Sequence, residues 1–125
     1  MRMIEIDYEA QPPIDGYGPG GFRVGGDWQT GAILIMAEGP APFEGVSPEG
    51  IAPLIARAGD LDVVLFGMGD DIAPLPVPLR TMLEEAGLGY ETMSTPSACR
   101  TYNVLLTEDR RVAAALLPVS AETPA

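Results

Sequence analysis

The chain has 125 residues, 18 acids against seven basic groups, and a formal net charge of −11. All seven basic residues are arginines, so imidazole bases, Ser-His-Asp and Cys-His nucleophiles, histidine metal ligation, Schiff-base lysines and Walker-type phosphate loops are all excluded. The negative balance argues against phosphate backbones and anionic lipid headgroups as partners, so neither nucleic acid nor direct membrane insertion is expected.

A chain of this length reads as one domain, residues 1–125, able to bury roughly two-thirds of its unfolded surface. It divides into a β-rich part (1–45), an α/β part (46–119) and a flexible tail (120–125). Residues 3–8 alternate and read as a strand with one wet face. Acids at Glu5, Asp7 and Glu9 stand where a signal or transit peptide carries a basic flank, so the expected location is cytoplasmic. Gln11 to Gly21 is rich in Gly and Pro and reads as a loop. Phe22–Val24 is a short strand, Gly25-Gly26-Asp27 a turn, and Trp28 leads into the apolar strand Ala32–Ala37. That run is the longest apolar stretch and is far too short to cross a bilayer. Ser47-Pro48-Glu49 has the form of a helix start, with Pro53 shortening or bending the helix and Gly59 ending it. Leu61–Phe66 is near-continuously apolar and predicts a central strand covered on both faces. Leu79, Met82, Leu83 and Ala86 keep helical spacing, with Gly87 just past the end. Tyr90–Met93 is a short strand, Thr95-Pro96 opens a helix running to about Glu108 with Thr95 as its cap, and Val112–Leu117 is a buried strand. Helices alternating with strands predict an α/β layering on a mostly parallel or mixed sheet.

Gly67-Met68-Gly69 follows an apolar strand, where glycines let a ligand approach the backbone, and Asp70 and Asp71 follow at once. The competing explanation is a βα turn that needs positive φ. Asp70 and Asp71 with backbone oxygens are also what a magnesium or calcium site uses. Asp60/Asp62 and Glu84/Glu85 are the other acid pairs, and the latter reads as a solvated helix exterior. In Thr95 to Asn103, the helix dipole and Arg100 favour a lowered Cys99 pKa, against the plainer view of Cys99 as a small core residue on one face with Ala98, Tyr102, Leu105 and Leu106. Arg100, Asn103 and Thr107 form the opposite stripe. A lone cysteine rules out an internal disulfide and a cysteine metal cluster. Three of the seven arginines, Arg100, Arg110 and Arg111, fall between Met93 and Leu117. Tyr17, Trp28 and Phe43 read as core or loop anchors, and exposure of any of them favours a protein interface.

The run from Gly67-Met68-Gly69 through Met93-x-Thr95-x-x-Ala98-Cys99-Arg100-Thr101-Tyr102-Asn103-Val104-Leu105 to Glu108-x-Arg110-Arg111-Val112-Ala113-Ala114-Ala115-Leu116-Leu117 resembles one small family. Its bacterial and archaeal members are single-domain proteins of unknown function, and its mitochondrial member is a respiratory complex I assembly factor. The resemblance implies a three-layer α/β domain with a mixed central sheet in which one strand opposes the rest, to which the strands read in the first third add a small N-terminal β unit. It implies no established catalytic activity and supplies no catalytic residue, and no cofactor and no metal are expected. The expected function is that of a non-enzymatic accessory protein acting through a protein partner, a candidate assembly factor peripheral to a respiratory complex. The alternative is a small-molecule- or metal-binding domain, or an enzyme, with a cleft between the Gly67–Gly69 loop and the Thr95–Asn103 helix start. Its candidate residues are Gly67, Met68, Gly69, Asp70, Thr95, Ser97, Cys99, Arg100 and Asn103.

Overall fold

A computed structural model describes residues 11–120. The strand expected over residues 3–8 lies outside the described residues. Strands β1 (Ile14–Gly18), β2 (Gly21–Val24) and β3 (Asp27–Thr30) form an antiparallel three-stranded sheet. Strands β4 (Ile33–Met36), β5 (Gly39–Pro42), β6 (Val63–Met68), β7 (Tyr90–Met93) and β8 (Val112–Leu117) form a five-stranded sheet in the order β5-β4-β8-β6-β7. The β8-β6-β7 core is parallel, and β4 is antiparallel to both β5 and β8. One strand, β4, therefore runs against the other four, as the resemblance implied.

Helices α1 (Pro48–Ala56), α2 (Val77–Glu85) and α3 (Thr95–Thr107) cover this sheet. Strand alternation divides the core into two layers. Leu34, Val64, Phe66, Ala113 and Ala115 face Ile51, Leu54, Leu79 and Leu83 of α1 and α2. Ile33, Ile35, Leu65, Ala114 and Leu116 face Ala98, Cys99 and Tyr102 of α3 together with Ile14, Phe22 and Val24 of the small sheet. The small residues Ala113, Ala114 and Ala115 in the central strand β8 let both layers pack close.

Several local expectations change. The presumed loop Gln11–Gly21 contains β1, because its strand character comes from a hairpin partner and not from its own composition. Gly25 and Gly26, with φ of 57° and 92°, make the two-residue β2-β3 hairpin turn. The stretch from Trp28 to Ala37 breaks at Gly31 (φ 88°) into β3 and β4, which belong to different sheets. Edge strand β5 was hidden by Pro40 and Pro42, residues that only an edge tolerates. Ser47 caps α1 by accepting from the Gly50 amide at 3.0 Å, and Pro53 is exposed within the helix, where water can take the carbonyl it frees. Gly59 falls in a 3₁₀ turn, Ala58–Asp60, just beyond that helix. The cap of α3 is Ser94, which accepts from the Ser97 amide, and Thr95 is its first helical residue.

Helices α2 and α3 end alike. The Gly87 amide donates to Glu84 and the Leu88 amide to Leu83, while the Asp109 amide donates to Leu106 and the Arg110 amide to Leu105. Both are Schellman endings, and both need a left-handed residue. Gly87 (φ 72°) supplies it in the first, and Asp109 (φ 61°) occupies the same position without a glycine's freedom.

Candidate functional site

The helix after β6 lies on one face of the sheet and the helix after β7 on the other, so the carboxyl ends of β6 and β7 form a topological switch point, where open α/β sheets collect ligands. Gly67–Gly69 and Thr95 meet there. The Gly69 amide donates to Thr95 Oγ1 at 2.9 Å, the Thr95 amide donates to the Gly69 carbonyl at 2.8 Å, and Thr95 Oγ1 donates to the Leu117 carbonyl at 2.6 Å. Thr95 is fully buried. A Cβ on Gly67 would stand 2.8 Å from Leu116 Cδ2 and 2.9 Å from Thr95 Oγ1, so the space a glycine opens is filled by the first turn of α3. Gly69 takes a φ of 96° and Met68 is half-buried. Thr95 thus bridges the ends of β6, β8 and α3.

The remaining candidates point in different directions. Asp70 Oδ1 accepts from the Ser120 amide at 2.9 Å. Ser97 donates its amide to the cap and accepts weakly, at 3.4 Å, from Arg100 Nη2, and Arg100 is exposed. Cys99 is buried among Ile14, Phe22 and Val24. Burial pushes its thiol up to about 12 against a downward pull from Arg100, so the thiolate is suppressed. Asn103 acts as a surrogate strand neighbour: its Oδ1 accepts from the Ile14 amide at 2.9 Å and its Nδ2 donates to the Ile14 carbonyl at 2.8 Å. With Tyr102 donating to the Pro12 carbonyl at 2.7 Å, Asn103 ties α3 to the start of β1. Among the described residues no three Asp, Glu, Cys or His side chains gather to hold a metal.

Two further features lie away from the switch point, the first with no local signature in the sequence and the second at an aromatic whose exposure the sequence left open. At the opposite end of the sheet, where β6 and β8 begin, a cleft of about 230 Å³ is bordered by Arg57, Arg110 and Arg111, with Ala37, Leu61 and Val112 also lining it. Arg57 contacts Glu38 at 2.7 Å and Asp60 at 3.3 Å. Arg111 holds Asp62 through its guanidinium and its amide, both at 2.9 Å, and these two bonds keep the Asp62 carboxyl below its usual range. The gathering of arginine late in the chain was the one available signal; Arg57 comes from elsewhere. The second feature is Trp28. It stands opposite Arg23 on the outer face of the small sheet, its ring over Gly18 and Gly21, and is 47% exposed. Tyr17 is 42% exposed, whereas Phe43 is buried. No described helix is long and apolar enough to cross a membrane.

Residues 14–117 match a family described as protein of unknown function (DUF498/DUF598). An uncharacterized protein of Rhodobacter capsulatus is 53% identical over 99% of this chain and 98% of its own length. NADH dehydrogenase [ubiquinone] 1 alpha subcomplex assembly factor 3 of Danio rerio is 30% identical over 94% of this chain and 71% of its own length. A crystal structure described as an outer membrane protein from Bartonella henselae superimposes with a TM-score of 0.83 at 38% identity, covering 89% of this chain and 98% of that one. The match spans every strand and helix from β1 to β8, and the chain belongs to the DUF498/DUF598 family.

Proposed function

We propose that this chain is a non-enzymatic accessory protein that binds another protein during assembly of a respiratory NADH dehydrogenase complex, acting from the cytoplasm and meeting the membrane only through its partner. The observation that carries the binding role is Trp28, a large aromatic held half-exposed on a glycine platform within the β2-β3 hairpin. Such a residue supplies contact area with little loss of conformational freedom, and Trp and Tyr dominate interface energetics. The choice of complex rests on the assembly-factor relatives. The suppressed Cys99 thiolate and the absence of histidine and lysine agree with a role without bond-making chemistry.

The test is a deletion strain complemented with wild type or Trp28→Ala. Deletion should lower the content of assembled NADH dehydrogenase in native gels, and wild type should restore it. Trp28→Ala, folded by circular dichroism, should fail to restore it and should lose the copurifying subunit. Normal complex content in the deletion strain rejects the assembly role; full rescue by Trp28→Ala rejects this surface.

A further inference from the structure

We infer that the cleft at the strand-start end of the central sheet is a binding site for a small monocarboxylate, with Arg110 holding the carboxylate and Ala37, Leu61 and Val112 receiving a short hydrocarbon body. Three of the chain's seven arginines border this one cleft in a protein of net charge −11. Two are committed. Arg57 is shared by Glu38 and Asp60, and Arg111 is clamped on Asp62. Arg110 is different: its Nε lies 3.9 Å from Asp62 Oδ2, too far for a hydrogen bond, and that oxygen already accepts from the Arg111 amide. Among the described residues the guanidinium of Arg110 makes no hydrogen bond, and it is presented by a residue next to the left-handed Asp109.

Size and charge narrow the ligand. About 230 Å³ lies just under the range of pockets that hold drug-sized molecules, so the occupant is small. A planar guanidinium fork matches a carboxylate bidentately. Glu38 and Asp62 are held ionised, Glu38 by its own backbone amide and then Arg57, Asp62 by Arg111, and with Asp60 they penalise a second negative charge. One cation that makes no hydrogen bond, only a 3.9 Å ion pair with Asp62, among ionised carboxylates therefore selects a monoanion over a phosphate dianion. The apolar floor calls for hydrocarbon behind it.

The experiment is an amide-resolved NMR titration of the full chain with hexanoate, with hexanol and inorganic phosphate as comparisons. Hexanoate should shift the Leu61, Arg111 and Val112 amides saturably with a Kd near about 1 mM, a reasonable affinity for so few atoms. Arg110→Gln should weaken it at least about tenfold at an unchanged melting midpoint, while Arg23→Gln, on the small sheet, should not. Ala37→Leu, which fills the floor from another segment, should weaken it as well and serves if Arg110→Gln does not fold. Absence of saturable shifts, equal binding of hexanol, tighter binding of phosphate, or an unaffected Arg110→Gln each overturns the assignment.

Discussion

Thr95→Val replaces a hydroxyl with a methyl at nearly constant shape, in a side chain that has no exposure and joins three elements. The valine keeps the β-branch and the packing against Gly67 but leaves the buried Gly69 amide without an acceptor and the partly buried Leu117 carbonyl without this donor. An orphaned buried group costs about 1–3 kcal/mol, so about 2–4 kcal/mol is expected for the pair. Thr95→Ser keeps both hydrogen bonds and loses one methyl, about 1 kcal/mol. Urea unfolding followed by far-ultraviolet circular dichroism measures both. Against a total stability of about 5–15 kcal/mol the valine variant should lose a large share, while its slope with urea stays unchanged. A valine variant as stable as wild type, or a serine variant as damaged as the valine, refutes the view that the hydroxyl holds this junction.

Asp109→Gly relieves the left-handed residue at the end of α3 and should raise stability by about 0.5–1 kcal/mol, part of the gain being lost to the freer unfolded chain; thermal unfolding reads it. Gly21→Ala would place a Cβ 2.5 Å from both Trp28 Cζ2 and the Gln29 carbonyl, so the indole must lift, with a red-shifted emission and a lower melting midpoint. Burial raises both the Cys99 thiol and the Tyr102 hydroxyl to about 12. Each folded value lies above the unfolded one, so their contribution is complete below pH about 8.5–10 and is lost as pH climbs toward 12, which alkaline denaturation should show. At pH 8 iodoacetamide should label Cys99 in urea and spare it in the native chain.

What could be read in advance follows from where the forming interactions lie. Helix α2 carries its signal within its own residues, a 3.6-residue apolar stripe closed by Gly87, and β6 and β8 are apolar runs that any buried parallel strand requires. Strand β1 has no such pattern. It is fixed by Phe22 across a hairpin and by Asn103, 89 residues away from the Ile14 it binds. The cap of α3 was displaced by one residue because Ser94 and Thr95 are both cap-forming types, and only the tertiary demand for a hydroxyl beside Gly69 decides between them. At the switch point the convergence of Gly67–Gly69 and Thr95 came from the family resemblance and not from any local pattern, and the filling of that space by α3 had no signal in the sequence. The arginine cleft joins residues more than fifty positions apart, and no local pattern announces it.

The prolines of β5 bear on how a partner can attach. The Phe43 amide donates to Ala32 across the β4-β5 pair, so the backbone of residues 40 and 42 faces away from β4. At both positions the outward nitrogen has no hydrogen. This border of the five-stranded sheet therefore offers acceptors without donors, and a foreign strand cannot dock there by β-augmentation. The same chemistry blocks stacking of copies into fibrils from that side. Any contact made at β5 has to proceed by side chains on its faces, through shape and charge and not through backbone pairing.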